Sequence, residues 1–508
     1  MNIRNKMKKI FAIIMSVMMF ASLCTVSAFA DTKGSITVSG EGAKQAIFTS
    51  YKVLDVTEVA DEGVNYVASA NFTDFFNKTE YGNYSIDKIA AIDVNDSAAK
   101  VDLQSNLKKY IADKGLAGTQ LTSEGEVSKL SNLDLGYYFI VQTDSSAEGA
   151  YVPTSPILIS VPYSSDNGYV YDVEVDTKLN KTNVVKKIKE DNTLVDANQK
   201  KIGDYVDYVI TSPVPKYSEA IYDLSKVTYF YTDTLSAGLT YDENASFVVY
   251  GVKDGADTEL ELGTNYSITV NDAAFTDAVA GATIKVNFVY SSIKDFDSII
   301  VEYKALLNEN ANVGGVANPN EVKLTYSNLP GTDSQGNPYT TDTPESIVKT
   351  YTYGLGIVKV DKDDNTIPLE GVEFTVTGPD GYKKVVKTDS NGKINLVGLK
   401  AGEYVLQETA TIPGYILPTG DAAKTTVTIT LPTKGDGTLD YENPTYSQGT
   451  VTTIGTPNQE GPVVTITNAK GFNLPTTGGA GTWMFTIGGL VLMAGAVVVF
   501  ASSRKKAK

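Results

Sequence analysis

The stretch Thr283–Phe288 reads Thr-Ile-Lys-Val-Asn-Phe, with polar and apolar side chains in alternation. A period of two residues places every second side chain on the same face of a β-strand. Similar runs rich in Val, Ile, Thr and Tyr occur at Tyr205–Ile210 and Val463–Ile466, and clusters of Gly, Asn, Asp and Pro separate them. Many short strands broken by turn residues predict β-sandwiches. We therefore expect a mainly β protein built of sandwich domains.

The chain between residues 31 and 477 is long enough for about three such domains. We place them in tandem at residues 31–180, 181–352 and 353–472, with terminal segments at 1–30 and 473–508. Only the first domain shows helical spacing, in Thr73–Phe76 and in Ala98–Ala112, with a stop at Gly115. The first domain is therefore expected to contain some helix.

The first 30 residues have the order of a secretory signal peptide. Four basic residues precede an apolar run from Ile10 to Leu23, and Ala28-Phe29-Ala30 provides a small-residue cleavage site. We therefore predict that residues 1–30 are removed, so that the mature, secreted chain begins at Asp31.

The C-terminal segment carries three features in order. Leu474-Pro475-Thr476-Thr477-Gly478 comes first, an apolar run from Met484 to Ala501 follows, and Arg504, Lys505, Lys506 and Lys508 come last. The apolar run is long enough to cross a bilayer with its basic end inside the cell. This arrangement resembles the LPxTG cell-wall sorting signal of Gram-positive surface proteins. The resemblance implies that a sortase attacks the Thr477 carbonyl and releases the tail from Gly478.

Composition excludes several function classes. The predicted signal peptide and the tail after Thr477 each contain four basic and no acidic residues, so their removal takes the formal net charge from −17 to −25. A chain this acidic is not expected to bind nucleic acid. The chain has no His, and its only Cys, Cys24, lies in the predicted signal peptide. Catalytic sites with His or Cys, zinc sites with His ligands and disulfides are therefore excluded from the mature chain. We expect no cofactor, and no motif singles out a pair of catalytic carboxylates.

Five stretches of the third domain form a recognisable pattern: Ile357–Asp361, Leu369–Phe374, Thr388–Gly392, Tyr404–Thr409 with Pro413–Tyr415, and Val464–Asn468. Together they resemble a Cna-B-type immunoglobulin-like domain of Gram-positive surface proteins, in which the fourth stretch would be the "E-box". The resemblance implies an intramolecular isopeptide bond between Lys359 and Asn468, promoted by Glu408. The chemistry needs burial, because desolvation can shift the pKa of a lysine down by ~3–5 units and leave a nucleophilic amine. The same surroundings keep a carboxyl protonated, so that it can shuttle a proton as ammonia leaves.

The second domain contains six stretches that carry a resemblance: Val185–Ile188, Ile202–Val206, Pro213–Pro215, Tyr231–Leu235, Gly238-Leu239 and Asn318–Tyr326. Together they resemble the Cna-A-like middle domain of three-domain backbone pilins. The resemblance implies a bond from Lys186 to Asn320, with Asp233 as the promoting acid. Lys186 and Lys187 are neighbours on a strand and face opposite ways, so only one of them can point into the core, and Lys187 is the alternative nucleophile. Asn318 is the alternative acceptor.

The first domain resembles the N-terminal pilin domain, and Gly168–Lys178 resembles the pilin motif that carries the linkage lysine. Asp176-Thr177 replaces the Tyr-Pro of that motif, and Leu179 separates Lys178 from Asn180. The resemblance implies that Lys178 joins subunits, with Lys181 as the alternative. A bond inside this domain, with Lys52 and Asn180 as the candidate pair, stays open.

Together these resemblances indicate the backbone, or major, subunit of a sortase-assembled pilus. They imply a structural protein rather than an enzyme, linked from Thr477 of one subunit to Lys178 of the next and attached covalently to the cell wall. Its expected partners are a pilin-class sortase, identical subunits, minor pilins and peptidoglycan. The alternative is a wall-anchored adhesin that binds a host or glycan ligand without polymerising. The loop Asp361–Asn365 is read as a solvated turn, with a calcium site as the alternative, and no metal site is assigned.

Overall fold

The computed structural model describes residues 18–21 and 32–505, apart from 41–42, 61–62, 94–95, 146–151, 154, 166–167, 178–180, 220, 243–245, 274–277, 333–335, 457 and 472–479. Within these ranges the chain forms three successive β-sandwich domains, followed by a long apolar helix. The predicted fold class, mainly β with helix in the first domain, is confirmed.

The first domain packs two sheets, ordered β12-β2-β7-β6 and β4-β3-β8-β9, around a core that includes Ile36, Phe48 and Ile140. Strand β1, which belongs to the predicted signal peptide, pairs with β12 at the edge of the first of these sheets. Helix α2 begins at an Asp96 cap and ends at Gly115, whose φ of 59° is left-handed. The elements are β1 (Met18–Ala21), β2 (Gly34–Ser39), β3 (Ala46–Ala60), β4 (Gly63–Ala68), α1 (Ile86–Ala90), α2 (Ser97–Lys114), β5 (Thr119–Gln120), β6 (Thr122–Glu124), β7 (Val127–Leu133), β8 (Gly136–Ser145), β9 (Ile157–Val161), β10 (Tyr163–Ser165), β11 (Gly168–Val170) and β12 (Asp172–Asp176), with 3₁₀ turns at Ala43–Gln45, Ala70–Phe75 and Thr79–Tyr81.

Of the two helices predicted in the first domain, one is an α-helix and the other is a 3₁₀ helix. Ser97–Lys114 covers the predicted Ala98–Ala112, whereas the segment predicted at Thr73–Phe76 is a 3₁₀ helix, Ala70–Phe75. Phe72 and Phe75 on that turn are buried against Tyr110 of α2. The short turn therefore packs two buried aromatic rings against the helix.

The middle domain is a sandwich of sheets ordered β14-β13-β16-β24-β18-β22 and β15-β27-β25-β17-β23-β21. Along β23 the buried side chains are Ile284, Val286 and Phe288, so the alternation of this stretch does mark its inner face. The elements are β13 (Val185–Glu190), β14 (Thr193–Val195), β15 (Ala197–Gln199), β16 (Tyr205–Pro213), β17 (Tyr229–Leu235), β18 (Leu239–Tyr241), β19 (Phe247–Lys253), β20 (Ala256–Glu259), β21 (Tyr266–Val270), β22 (Val279–Ala280), β23 (Thr283–Phe288), α3 (Tyr290–Ile293), β24 (Ser298–Leu307), β25 (Asn318–Thr332), β26 (Pro338–Asp342) and β27 (Ser346–Tyr351), with a 3₁₀ turn at Leu224–Lys226.

The C-terminal domain packs the sheets β31-β28-β36-β35 and β30-β29-β32-β33-β34. Its first and last strands, β28 and β36, are parallel neighbours, with Lys359 opposite Ile466. The elements are β28 (Tyr353–Asp361), β29 (Glu373–Thr377), β30 (Lys383–Lys387), β31 (Lys393–Leu399), β32 (Gly402–Ala410), β33 (Lys424–Thr430), β34 (Thr445–Tyr446), β35 (Thr450–Thr453), β36 (Glu460–Asn468) and the helix α4 (Ala480–Lys505), with 3₁₀ turns at Pro379–Gly381 and Gly420–Ala423.

The middle and C-terminal domains meet without a linker. Strand β27 ends at Tyr351, β28 begins at Tyr353, and the residue between them, Thr352, is fully buried. The Thr352 carbonyl accepts a hydrogen bond from the Gly314 amide at 2.8 Å, and its hydroxyl donates to the Leu399 carbonyl at 3.1 Å. The backbone of Gly398 adopts a φ of 79°, and a Cβ there would lie 2.6 Å from Ile202 of the middle domain. The two sandwiches are thus in direct backbone contact.

Candidate functional site

Four polar side chains meet inside the middle domain, and we call them the middle cluster: Lys186, Asp233, Tyr303 and Asn320. Lys186 lies on β13 and Tyr303 on β24, which belong to one sheet. Asp233 lies on β17 and Asn320 on β25 of the facing sheet, with Asn320 opposite Leu235. All four are at most 2% exposed, so the cluster sits between the sheets and out of contact with solvent.

Hydrogen bonds join the members of the middle cluster. Lys186 Nζ lies 2.7 Å from Asn320 Oδ1, 2.5 Å from Asp233 Oδ2 and 2.9 Å from the Tyr303 hydroxyl. Asn320 Nδ2 donates to that hydroxyl at 2.7 Å, and the hydroxyl donates to Asp233 Oδ2 at 2.8 Å. The nucleophile, the carboxamide and the acid that condensation needs are therefore in contact.

Burial shifts the pKa values of Lys186 and Asp233 in the directions that favour a neutral amine and a neutral carboxyl. Desolvation lowers the pKa of Lys186 to about 8, although Asp233 acts in the opposite direction. Desolvation also raises the pKa of Asp233 above its ordinary value, against the effect of Lys186. Asp233 Oδ1 has no hydrogen-bond partner among the described residues, which adds to the cost of ionising this carboxyl. A neutral amine beside a neutral acid is the state that can attack an amide.

The two alternatives in this domain are placed outside the cluster. Lys187 points away from the core and pairs with Asp196 at 2.5 Å. Asn318 is buried, but its amide nitrogen donates to the carbonyls of Asn312 and Thr350, and its oxygen accepts from the Asn312 amide at 2.8 Å. Asn318 is therefore committed to backbone groups.

A second set of buried polar side chains, the C-terminal cluster, contains Lys359, Glu408, Thr411 and Asn468. Lys359 and Asn468 lie on the parallel neighbours β28 and β36, whereas Glu408 comes from β32 in the facing sheet. Lys359 Nζ lies 2.6 Å from Asn468 Oδ1 and 3.4 Å from Glu408 Oε2. Asn468 Nδ2 donates to Glu408 Oε1 at 2.5 Å and to Thr411 Oγ1 at 2.8 Å.

The C-terminal cluster also favours a neutral lysine. Lys359 is fully buried, Glu408 and Asn468 are 3% exposed, and desolvation lowers the pKa of Lys359 against the pull of Glu408. Glu408 Oε2 has no hydrogen-bond partner among the described residues. Both clusters can therefore present an uncharged amine to an asparagine carbonyl, with a carboxyl close by.

The loop after Lys359 is organised by one carboxylate. Asp361 Oδ2 accepts a hydrogen bond from the Tyr415 hydroxyl at 2.7 Å and lies 3.1 Å from Lys470 Nζ, while Oδ1 accepts from the amides of Asp363 and Asp364. These contacts, the tyrosine bond first, hold the pKa of Asp361 well below its usual range. Both oxygens are used by the protein itself, and the described residues contain no cluster of three potential metal ligands.

In the first domain, Lys52 has different surroundings. Its Nζ lies 2.6 Å from Asp55 Oδ1 and 3.5 Å from Asp134 Oδ2, and the side chain is 28% exposed. A partly exposed lysine held by two carboxylates lacks the burial that condensation needs. Asn180, its suggested partner, lies outside the described residues. The structure therefore gives no support to a Lys52 bond.

Family models match the middle domain, the C-terminal domain and the C-terminal tail. Residues 202–330 match a family described as Gram-positive pilin backbone subunit 2, Cna-B-like domain, where the sequence resemblance was to a Cna-A-like domain. Residues 354–445 match a prealbumin-like fold domain named SpaA, and residues 466–508 match the LPXTG cell wall anchor motif.

The trypsin-resistant surface T6 protein of Streptococcus pyogenes serotype M6 is 26% identical to this chain over 422 residues, which cover 70% of this chain and 76% of the relative. The T6 backbone pilin of serotype M6 S. pyogenes superposes with a TM-score of 0.54 at 17% identity, covering 88% of this chain and all of that one. This chain is a Gram-positive backbone pilin. A fibrinogen-binding protein of Staphylococcus epidermidis is 31% identical over 214 residues, but the match spans 18% of that protein.

The pilin is a cell-surface protein anchored to the wall through its C-terminal region. Helix α4 contains a segment, Trp483–Ser503, with a mean hydropathy of 2.3 and no burial against the rest of the pilin. It has the length and composition to cross a membrane, as expected for the anchor region.

Several predicted sites of the pilin lie outside the described residues. They are Lys178, the sorting motif Leu474-Pro475-Thr476-Thr477-Gly478, and the cleavage site Ala28-Phe29-Ala30. Lys181, the alternative to Lys178, is described and exposed. The roles of these residues remain predictions.

Two members of the pilin's clusters, Tyr303 and Thr411, were not predicted. Along β24 the inward residues are Ile299, Val301, Tyr303, Ala305 and Leu307, so Tyr303 is the one with a polar tip. A buried tyrosine hydroxyl usually has a hydrogen-bond partner, which is the signal that could have identified it. No comparable pattern in the sequence marks Thr411.

Proposed function

We propose that this pilin is polymerised by a sortase through an isopeptide bond between Thr477 of one subunit and Lys178 of the next. The sortase would cleave after Thr477 and hold it as an acyl-enzyme, which the Lys178 amine then attacks. The proposal is supported by the order of the sorting signal and by the match of residues 466–508 to the LPXTG anchor. A head-to-tail contact of this kind does not close, so the product is a filament.

The second part of the proposal is that each buried cluster condenses without an enzyme. The neutral lysine Nζ attacks the asparagine Cγ, the carboxyl moves a proton from the attacking nitrogen to the leaving nitrogen, and ammonia departs. The products are Lys186–Asn320 and Lys359–Asn468 amides. The observation that carries this proposal is the placement of both amines 2.6–2.7 Å from a carboxamide oxygen within a dry core.

These bonds give the mature subunit a covalent route for tension. Load that enters at Lys178 and leaves at Thr477 crosses the second and third domains but not the first. Within the two sandwiches it would pass directly between residues that are 134 and 109 positions apart. The intervening strands would then carry no load.

The partners that we propose are a pilin-class sortase, identical subunits, minor pilins and the peptidoglycan. The matched binding protein of S. epidermidis keeps a wall-anchored adhesin as the second candidate. The two functions differ in their need for the linkage lysine.

Two measurements test the proposal. In a host with the matching sortase, Lys178→Ala should abolish the high-molecular-weight ladder on denaturing gels, whereas Lys181→Ala should retain it. An adhesin would show no ladder in either case. In a host without the sortase, the purified chain should give two branched tryptic peptides, each lighter by one ammonia, about 17 Da. Unbranched peptides alone would refute the intramolecular bonds.

A further inference from the structure

The two clusters differ in how the acid reaches the leaving nitrogen. In the C-terminal cluster, Glu408 Oε1 accepts directly from Asn468 Nδ2 at 2.5 Å. In the middle cluster, the hydrogen-bond partners of the Asp233 side chain are Lys186 and Tyr303, and Asn320 is not among them. Asp233 has one methylene fewer than a glutamate, and the Tyr303 hydroxyl fills the gap between its carboxyl and the amide.

We propose that Tyr303 is a catalytic residue of the middle domain, relaying a proton from Asp233 to the leaving nitrogen of Asn320. Its hydroxyl lies 2.8 Å from Asp233 Oδ2, 2.7 Å from Asn320 Nδ2 and 2.9 Å from Lys186 Nζ. This inference rests on the proposed condensation and adds a residue that the sequence resemblance did not assign.

The proton transfers balance without any further reactant. Lys186 Nζ attacks Asn320 Cγ, which leaves a positive charge on Nζ and a negative charge on the former amide oxygen. Nδ2 of this adduct has a lone pair, so the Tyr303 hydroxyl turns from Asp233 and gives its proton to Nδ2 while its oxygen takes the proton of the neutral Asp233 carboxyl. The Asp233 carboxylate then takes one proton from the positively charged Nζ through Oδ2. The C–N bond to Nδ2 then breaks, and ammonia leaves. Asp233 and Tyr303 end in the protonation states in which they began.

Several contacts hold Tyr303 in place for this role. The residue is 2% exposed, and the centroid of its ring lies 5.3 Å from that of Tyr208 and 5.6 Å from that of Phe247. The hydroxyl stays protonated because burial raises its pKa well above the ordinary value of tyrosine. A fixed and neutral hydroxyl can accept one proton while it donates another.

The test compares the full chain and its variants, purified from a host without the pilin sortase. Tyr303→Phe keeps the ring and removes the hydroxyl. We expect a folded protein in which the Lys186–Asn320 branched peptide forms ~10²–10⁴-fold more slowly, the range for one general acid–base step. The Lys359–Asn468 branched peptide should form as in the wild type. Tyr231→Phe is the matched control, since it removes a buried hydroxyl of the same core that bonds Ser212 instead.

A rescue separates a relay from a structural role. In Asp233→Glu/Tyr303→Phe, the longer carboxyl should reach Asn320 directly, as Glu408 reaches Asn468, and restore the branched peptide. The single variant Asp233→Glu should also be branched. If Tyr303→Phe fails to fold, a folded and branched double variant still supports the relay.

The relay is overturned by a Tyr303→Phe variant that forms the middle-domain bond as fast as the wild type does. It is also overturned if the double variant remains unbranched or unfolded while Asp233→Glu alone is branched. A wild-type chain without a Lys186–Asn320 branched peptide would instead refute the proposed condensation itself, so the two failures are distinguishable.

Discussion

The middle and C-terminal sandwiches bring the same functional groups together in different topologies. In the middle domain, Lys186 and Asn320 come from opposite sheets, whereas in the C-terminal domain Lys359 and Asn468 come from adjacent parallel strands of one sheet. The amine-to-carboxamide distances are nevertheless 2.7 and 2.6 Å. A dry core and short distances therefore define such a site, whatever the strand arrangement. The arrangement decides what a bond would join: the two sheets in the middle domain, and the first and last strands in the C-terminal domain.

The largest effect is expected from Asn320→Ala. Without the carboxamide, the link between the two sheets cannot form, and the unfolded chain regains the freedom of a loop that spans 134 positions, about 5 kcal/mol in the loop-entropy model. Thermal unfolding and trypsin resistance of the middle domain measure this loss. The matched control is Asn318→Ala, a buried asparagine on the same strand outside the cluster, which should keep the branched peptide. Equal peptide maps for the two variants would contradict the assignment.

Glu408→Gln should have a slightly smaller effect on stability. It keeps the shape of the side chain and removes its acid, so that the bond spanning 109 positions does not form, again worth about 5 kcal/mol. Mass spectrometry should find that this variant retains one ammonia more than the wild type. Glu403→Gln, on the exposed side of the same strand, is the control and should be fully branched. A branched Glu408→Gln protein would show that the acid is dispensable.

The uncondensed middle cluster should make stability depend on pH. In Asn320→Ala, Lys186 keeps its amine, whose pKa falls from 10.5 to about 8 on folding because of desolvation. The unfolded chain therefore binds more protons between about pH 8 and 10.5, and stability rises with pH in this window by up to about 3 kcal/mol.

Thermal unfolding at pH 7.5 and pH 10 measures this dependence. Lys186→Met/Asn320→Ala lacks the amine and should lose the rise, as should the condensed wild type. If the double variant keeps the same rise, the effect comes from other groups.

The smallest effect is expected at Thr411. Its hydroxyl accepts the second hydrogen of Asn468 Nδ2 at 2.8 Å, and among the described residues it has no hydrogen bond to Lys359 or Glu408. Thr411→Val should slow bond formation only a few-fold, in contrast to Tyr303→Phe, since a single neutral hydrogen bond is worth ~1 kcal/mol. A time course of ammonia release gives the ratio, with Thr409→Val on the exposed side as the control. A loss as large as that of Tyr303→Phe would remove the distinction between the two hydroxyls.

The sequence predicted the strands well, because alternation is a local property. Thr283–Phe288 is a strand with the expected inner face, and Ser97–Lys114 is the expected helix. Pairing between distant strands has no local signal, which is why the parallel neighbours β28 and β36 were indicated only through the family resemblance. The short helix α1 (Ile86–Ala90) was missed because five residues are too few to show a period.

The clusters could be predicted from the sequence only in part. The resemblance supplied Lys186, Asp233 and Asn320. That Lys187 points away from the core could be seen only in the folded sandwich. Tyr303 escaped because an aromatic residue in an apolar strand looks like core, and the target of its hydroxyl depends on the facing sheet. Roles that depend on contacts between sheets are therefore the ones that local patterns leave open.

The passage through Thr352 has a consequence for the way in which the fibre bends. A single buried residue separates the last strand of one sandwich from the first strand of the next, and its hydroxyl donates to the Leu399 carbonyl across the joint. Backbone hydrogen bonds also cross the joint, from the Val313 amide to the Asn458 carbonyl at 2.9 Å and from the Ile202 amide to the Gly398 carbonyl at 3.3 Å. There is no hinge here: any tilt of one sandwich against the other would have to break backbone hydrogen bonds. The flexibility of a pilus built from these subunits must therefore arise elsewhere along its length, and this pair of domains behaves as one stiff segment.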